Sequence, residues 1–381
     1  SGWMHGDVKG AWMGSNDDTN LSGTNLVTNG DFSSNDSGWS IGGTNWSSFS
    51  IVNGRLRMTN QNNQNGFAYQ DVTVVVGRTY VLTCDCYKGT NAYTGLQVNS
   101  QGGGSVSIGA GQISVDGTYT LQFVADHTTV RLFIGQGSTG NGEYTEADNI
   151  SLTMADLDRS ANDKGLVTYG TVTKTAVATG AELVSYGGFS TSNYLTQPHN
   201  SDMQTGTGDF SISCWFKTTS TENNYEGLIF YNNAGSIGNG FQLMFNNTGS
   251  NKGLYFYIYG AGVDVNSDNV TGLNDGRWHC VVATHTSSQI QMYVDGVLKN
   301  TKAHSTGSIN NSTAQLTIGR WFGNTSAAYQ FRGELALVRH SASIPSAEQI
   351  KKMYDDEKPL FAPNAKCTLY GSSNAVTAVA Y

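Results

Sequence analysis

The stretch from Gly276 to Gly296 constrains the fold of this chain more than any other. Gly276 to Thr284 and Gln289 to Val294 read as two period-two strands around a short polar turn. The second strand runs into Asp295-Gly296, a dipeptide suited to a tight hairpin turn. Alternation places Ile290, Met292 and Val294 on one face, and Gln291 and Tyr293 on the other. The first set predicts a core, the second an outward surface that displays Tyr293.

Short strand-like runs recur along the whole chain. Its 381 residues are more than one domain usually holds. With 47 glycines, four prolines and 13% charged residues, the composition is rich in polar turns. The 38% hydrophobic and 11% aromatic content is still enough to fill a core, which argues for order. The class that follows is all-β: two consecutive antiparallel β-sandwiches and one short C-terminal helix.

Residues 1–24 are Gly-, Asn- and Asp-rich around the isolated Trp3 and Trp12, and read as a linker or the end of an upstream module. Residues 25–154 carry evenly spaced strands. They open on Asn29-Gly30-Asp31-Phe32 with Gly38-Trp39, and close on Ala147-Asp148-Asn149-Ile150-Ser151-Leu152. These opening and closing motifs, and the order of strands between them, resemble family 4 and family 9 carbohydrate-binding modules. The resemblance implies a jelly roll with Trp39 in its core. Residues 155–165, with Asp156, Asp158 and Asp163, read as a linker.

Residues 166–358 form the second sandwich. Phe210 to Lys217, Gly227 to Phe230, Gly240 to Phe245, Gly253 to Gly260, the Gly276 hairpin, Gln315 to Gly319 and Phe331 to Val338 supply its strands. Ser346 with Gln349 forms a capping box ahead of an apolar stripe at Ile350, Met353 and Tyr354. In order and content this set resembles laminin-G-like, concanavalin A-like lectin domains. Residues 359–381 read as a further β module or a tail, with strands expected at Thr368–Tyr370 and Ala375–Tyr381. The chain opens on Ser1, with neither an initiator Met nor a signal-peptide pattern, as expected of a fragment or processed product.

A net charge of −8 and no Lys/Arg cluster argue against a nucleic-acid partner. No apolar run approaches the roughly 20 residues that cross a bilayer. The five cysteines are scattered, and Cys84 and Cys86 are same-face neighbours on one strand that rarely bridge. All five are expected to be reduced, which fits folding in a cytosol.

Catalysis finds little footing. Enzymes with the resembled concanavalin-like fold aim Glu-x-Asp-x-Glu from one strand, and the chain has no such triplet. Glu222 and Glu226 fall in an Asn-rich loop, Asp355, Asp356 and Glu357 at the end of the helix. Glycan binding needs aromatic faces with amides and carboxylates beside them. Tyr255, Tyr257 and Tyr259 alternate with Phe256 and Ile258, so a tyrosine stripe faces outward if the other two fill the core. Gln242, Met244, Gln291 and Tyr293 join that outward set. The stripe suits sugar, a neighbouring subunit or plain surface. In the first domain Trp46, Tyr69, Tyr87, Tyr93 and Tyr144 are candidate stacking residues, with Arg57 or the Asn60–Asn65 loop as polar partners.

The resembled carbohydrate-binding modules often hold a structural calcium ion between first and last strands. Matching their motifs selects Asn29, Asp31 and Asp148, with Asp209 and Asp275 as weaker candidates that also fit turn chemistry. The two sandwiches, low charge and unpaired cysteines resemble tail-fibre or appendage proteins of marine bacteriophages. That resemblance implies a non-enzymatic virion protein, folded in the host cytosol, which binds cell-surface polysaccharide and other virion subunits as a homotrimer. A structural spacer, or the ancillary glycan-binding region of a secreted polysaccharide-degrading enzyme, are the alternatives.

Overall fold

Asp295 and Gly296 take φ of +53° and +75° and turn the strand Gln289–Val294 into Val297–Ala303. On its other side Gln289–Val294 pairs with His279–His285, Val281 facing Val294. Asp295 fixes the turn by accepting from the Cys280 backbone N–H at 2.9 Å and by contacting His279 Nδ1 at 2.8 Å. The computed structural model containing this hairpin describes residues 6–42, 48–60, 67–100, 107–136, 140–162, 164–199, 201–222, 224–233, 236–246, 253–259, 265–266, 271–304, 309, 314–321 and 329–367. It divides into two units, residues 23–155 and residues 1–22 with 156–381.

The unit of residues 23–155 is an antiparallel sandwich. One sheet runs Gly117–Val124, Thr79–Tyr87, Tyr144–Asp156, Arg55–Thr59 and Ser48–Val52. The other is five-stranded, in the order Ser40–Gly42, Phe67–Thr73, Thr129–Gln136, Thr94–Ser100 and Ser107–Ile113. Strand alternation sends Ala68, Val72, Val98, Leu132 and Ile134 inward against Leu56, Met58, Leu82 and Cys84. Each such Val, Leu, Ile or Met side chain stabilises the sandwich by about 2 kcal/mol. Trp39 sits in this core, 7% exposed, its ring 5.6 Å from Phe32.

The other unit is a larger sandwich. Its nine-stranded sheet runs Leu21–Ser22, Thr171–Ala176, Val184–Gly187, Gly333–Ser341, Phe210–Thr218, His279–His285, Gln289–Val294 and Val297–Ala303, with Val8–Trp12 also paired to Gly333–Ser341. The opposing sheet runs Leu166–Tyr169, Tyr194–Gln197, Gln315–Ile318, Tyr225–Asn233, Ser236–Asn246, Gly253–Tyr259 and Val265–Asn266. Ile290, Met292 and Val294 meet Leu243, Phe256 and Ile258 between the sheets, as the alternation predicts. Ser346 and Gln349 make the capping box of the helix Ala347–Glu357, whose Ile350 and Met353 are buried. Among the described residues no helix is long and apolar enough to cross a membrane.

The two segments read as linkers are structural. Val8–Trp12 pairs with Gly333–Ser341, Trp12 facing Val338, and Trp12 is fully buried with its indole N–H donating to Lys164 O at 2.9 Å. Asp156 and Asp158 are 5% and 2% exposed. Asp158 accepts the Ala11 N–H at 2.9 Å, and Asp156 accepts the Met13 N–H and the Tyr186 hydroxyl. Burial pushes both carboxyls up, and these donors oppose it. Composition misleads at 1–24 because the strand Val8–Trp12 shows no period of its own and its partner Gly333–Ser341 lies over 300 residues away. It misleads at 155–165 because the N–H groups that Asp156 and Asp158 accept come from Met13 and Ala11.

The chain beyond the helix packs on the same unit as far as it is described. Phe361 stacks on Trp215 at 4.2 Å, and the Cys367 N–H donates to Glu182 at 2.8 Å. The strands expected at Thr368–Tyr370 and Ala375–Tyr381 lie outside the described residues. All five cysteines are free and buried, Cys84 and Cys86 with their sulfurs 3.4 Å apart.

Candidate functional site

Tyr255, Tyr257 and Tyr259 do share the face opposite Phe256 and Ile258, which are 0% and 1% exposed. Their rings stack in a row, with centroids 5.9 Å apart and planes within 18° and 16°. At that separation parallel rings cannot lie flat side by side, so each leans on the next and gives part of its face to its neighbour. The row also sinks along its length: Tyr255 and Tyr257 are half-buried, whereas Tyr259 is 8% exposed and donates to Gln242 Oε1 at 3.2 Å. Gln242 and Met244, opposite Tyr257 and Tyr255 in register, are 1% and 4% exposed. The expected open stripe is therefore a partly covered one.

Tyr293 does not extend it. It belongs to the nine-stranded sheet, and Ile290, Met292 and Val294 point into the same core as Phe256 and Ile258. The outward faces of the two strands thus look in opposite directions. Tyr293 is itself 6% exposed, clustered with Trp215 and Ile350, its hydroxyl donating to Gln291 at 3.2 Å. The helix that contributes Ile350 closes over a surface that alternation alone would leave open.

The outer face of the five-stranded sheet gathers a different set. Phe67 and Tyr69 stand on one strand and Phe133 opposite Tyr69 on the next. Phe67 meets Phe133 edge-on at 5.0 Å, with Tyr69 at 6.2 Å from Phe67 and 6.4 Å from Phe133. All three are half-buried. Arg131 lies over the Tyr69 ring at 4.0 Å and makes a two-pronged pair with Asp71 at 2.6 and 2.7 Å, which raises its pKa. The next strand adds Gln97 opposite Phe133 and Asn99 opposite Arg131, with Gln97 donating to Asn99 at 2.7 Å. Tyr93, half-buried, precedes the same strand. Of these residues only Tyr69 and Tyr93 are expected from the sequence. The pairs Phe67-x-Tyr69 and Arg131-x-Phe133 were the available signal, since one period of two places each pair on one face.

Tyr87 and Tyr144 lie on the other sheet of that sandwich. Arg55 covers Tyr87 at 3.7 Å and Arg57 covers Tyr144 at 3.9 Å, and both guanidiniums pair with Glu146. Burial raises the Tyr87 pKa, against the opposing Arg55 charge. A cation thus covers one face of each ring, as Arg131 covers one face of Tyr69. Trp46 and residues 61–65 of the expected polar loop lie outside the described residues; Asn60 is 1% exposed.

Of the calcium candidates, Asp148 stands near Asp31 and near Asp85. Burial raises the Asp148 pKa, the Asn149 N–H opposes it, and the negative charges of Asp85 and Asp31 add to it. Asp31 is exposed and bonded to Ser33, while Asn29 turns its amide nitrogen to the Asn35 carbonyl oxygen. Asp275 caps its own turn through the Arg277 N–H at 2.9 Å, and Asp209 is exposed. Among the described residues no three His, Cys, Asp or Glu side chains gather as a metal site. Glu226 is buried, accepting from Ser220 and from the Arg332 N–H at 2.9 Å, whereas Asp355 and Asp356 pair with Lys351 and Lys352 on the helix surface.

No curated protein matches the chain. Among solved structures, the binding domain of botulinum neurotoxin DC in complex with rat synaptotagmin II matches at 14% identity and a TM-score of 0.40, over 53% of this chain and 48% of that one. Domain 4 of AbnA, a GH43 extracellular arabinanase from Geobacillus stearothermophilus in complex with arabinotriose, matches at 13% and 0.38, over 52% and 91%. The Ruminococcus gnavus IT-sialidase CBM40 bound to α2,6-sialyllactose matches at 18% and 0.33, over 39% and 85%. The chain spans about half the length of the toxin binding domains. Likenesses this distant bear on neither ligand nor site. Residues 189–351 match the Laminin_G_3 profile of the concanavalin A-like lectin/glucanases superfamily, which gives the larger sandwich a lectin-like fold.

Proposed function

We propose that this chain is a non-catalytic glycan-binding component of a virion appendage, which holds polysaccharide at a host surface. The observation that carries glycan binding is the Phe67, Tyr69 and Phe133 cluster on the outer face of the five-stranded sheet, beside Arg131, Asp71, Gln97 and Asn99. Apolar ring surface suits the C–H face of a pyranose, and the ion pair and amides suit its hydroxyls. Three strands fix these side chains in advance, so a sugar would order little on binding. The lectin-like fold of residues 189–351 agrees with this class of ligand. The virion part rests on the low charge and on five free, buried cysteines, which suit folding in a reducing cytosol.

The test is a microbial glycan array probed with the full chain. Binding should be seen, and Tyr69→Ala with Phe133→Ala should weaken it roughly tenfold or more. No binding to any glycan would overturn the reading.

A further inference from the structure

We infer a second, separate sugar platform in the larger sandwich, formed by Tyr169 at the top of a stack built on Tyr194 and Arg320; it rests on the glycan-binding reading above. Tyr169 ends the strand Leu166–Tyr169 and faces Tyr194 on the neighbouring strand. Their rings are parallel within 4° at 4.6 Å. The Arg320 guanidinium lies 4.0 Å from the centre of the Tyr194 ring. A ring face covered by another ring at 4.6 Å has no room for a guanidinium, so Arg320 and Tyr169 occupy opposite faces of Tyr194. The order is cation, ring, ring, then solvent, with Tyr169 44% exposed.

The stack is held from below and from the side. Arg320 is 9% exposed and donates to the Thr191 carbonyl oxygen. Thr191 belongs to a turn closed by the Ser190 N–H to Asn193 O at 2.9 Å and the Asn193 N–H to Ser190 Oγ at 3.0 Å. Asn193 also accepts the Thr171 N–H at 3.1 Å, which ties that turn to the one that follows Tyr169. Gly170 makes this possible: its φ is +61°, and a Cβ there would come within 2.1 Å of Asn193 Oδ1 and 2.6 Å of Ser192 O. Tyr169 is thus fixed in orientation while its outer surface stays in water. Among the described residues Tyr194 is the one ring packed against it.

Exposed aromatic surface on a rigid mount suits a flat apolar ligand face. Gly170, Thr171, Ser192 and Asn193 border it with hydroxyls and amides and no formal charge, and Thr171 and Ser192 are exposed. That rim fits the hydroxyl edge of a neutral pyranose residue within a polysaccharide.

The experiment measures binding of the full chain to the neutral polysaccharides scored on the array, by affinity electrophoresis and titration. Tyr169→Ala should weaken binding roughly tenfold, Tyr169→Trp should preserve it, and Arg320→Met should weaken it less. Circular dichroism of Tyr169→Ala should match the parent and its thermal midpoint should fall only slightly, because the side chain is 44% exposed and gives up one ring stack. Unchanged affinity in Tyr169→Ala, with loss in Tyr69→Ala, overturns this platform and leaves the first reading intact. Loss in Tyr169→Ala alone supports the platform and moves glycan recognition to the larger sandwich. No binding by the parent to any glycan overturns both.

Discussion

Arg339 Nη2 donates to Glu357 Oε1 at 2.6 Å, with both side chains 3% exposed. The other oxygen of Glu357 accepts the Trp215 indole N–H at 2.5 Å, and Tyr354 and Phe361 stack on that indole at 5.5 and 4.2 Å. One buried carboxylate therefore joins the end of the helix to two strands of the nine-stranded sheet. Glu357→Gln leaves Arg339 charged in a dry site, so it should cost about 3 kcal/mol or more. Urea unfolding of the variant checks this. A loss within about 0.5 kcal/mol would show that the pair is not what anchors the helix.

The N-terminal strand gives a second expectation. Trp12 is fully buried in the larger sandwich although it lies at the opposite end of the chain from most of that unit. Trp12→Ala should cost about 3–5 kcal/mol through the cavity it leaves. Removal of residues 1–22 should leave the larger unit unable to fold cooperatively. A truncated chain with an unchanged thermal transition would restore the linker reading.

How much of this was legible depended on whether a residue's partners are local. Ile290, Met292 and Val294 are inside because the strand period alone decides it. The capping box at Ser346 needed only four consecutive residues, and it formed. Tyr293 failed because its burial comes from the helix Ala347–Glu357, whose amphipathic stripe is readable but whose docking place is not. Tyr169, Tyr194 and Arg320 come from three distant segments, none with a pattern that marks it. Tyr255, Tyr257 and Tyr259 share a face because the strand period requires it, but stacking between side chains two residues apart has no signature in a one-dimensional pattern.

The thiols should be inert while the chain is folded. Burial raises the pKa of Cys214, Cys280 and Cys367, the last to about 11, and Cys84 is raised through its contact with the Cys86 thiol together with burial. The reactive thiolate is thus suppressed as well as hidden. A chromogenic disulfide reagent should titrate no thiol in buffer and all five in denaturant. Rapid reaction of one or more thiols in the native chain would contradict this.

Acid should weaken the larger sandwich through two histidines. His285 and His340 are both 0% exposed, on either side of Phe210 at ring distances of 4.8 and 5.9 Å. Burial lowers each pKa to about 4. The stacked His304 ring, 5.2 Å away, adds to the shift at His285, while the Gly208 carbonyl and Asp209 oppose it. Lys9 adds to the shift at His340, and Asp7 opposes it. In the unfolded chain an imidazole titrates near 6.5. Between about 6.5 and about 4 the unfolded state therefore binds more protons than the folded one, and stability falls as pH falls. Below about 4 the loss levels off at about 3 kcal/mol for each histidine. Among the described residues neither ring nitrogen of His340 has a hydrogen-bond partner, so His340→Leu should be tolerated at neutral pH. Unfolding free energies measured by urea from pH 4 to 7.5 should show a slope about one proton shallower in that variant. An unchanged slope would place the acid sensitivity elsewhere.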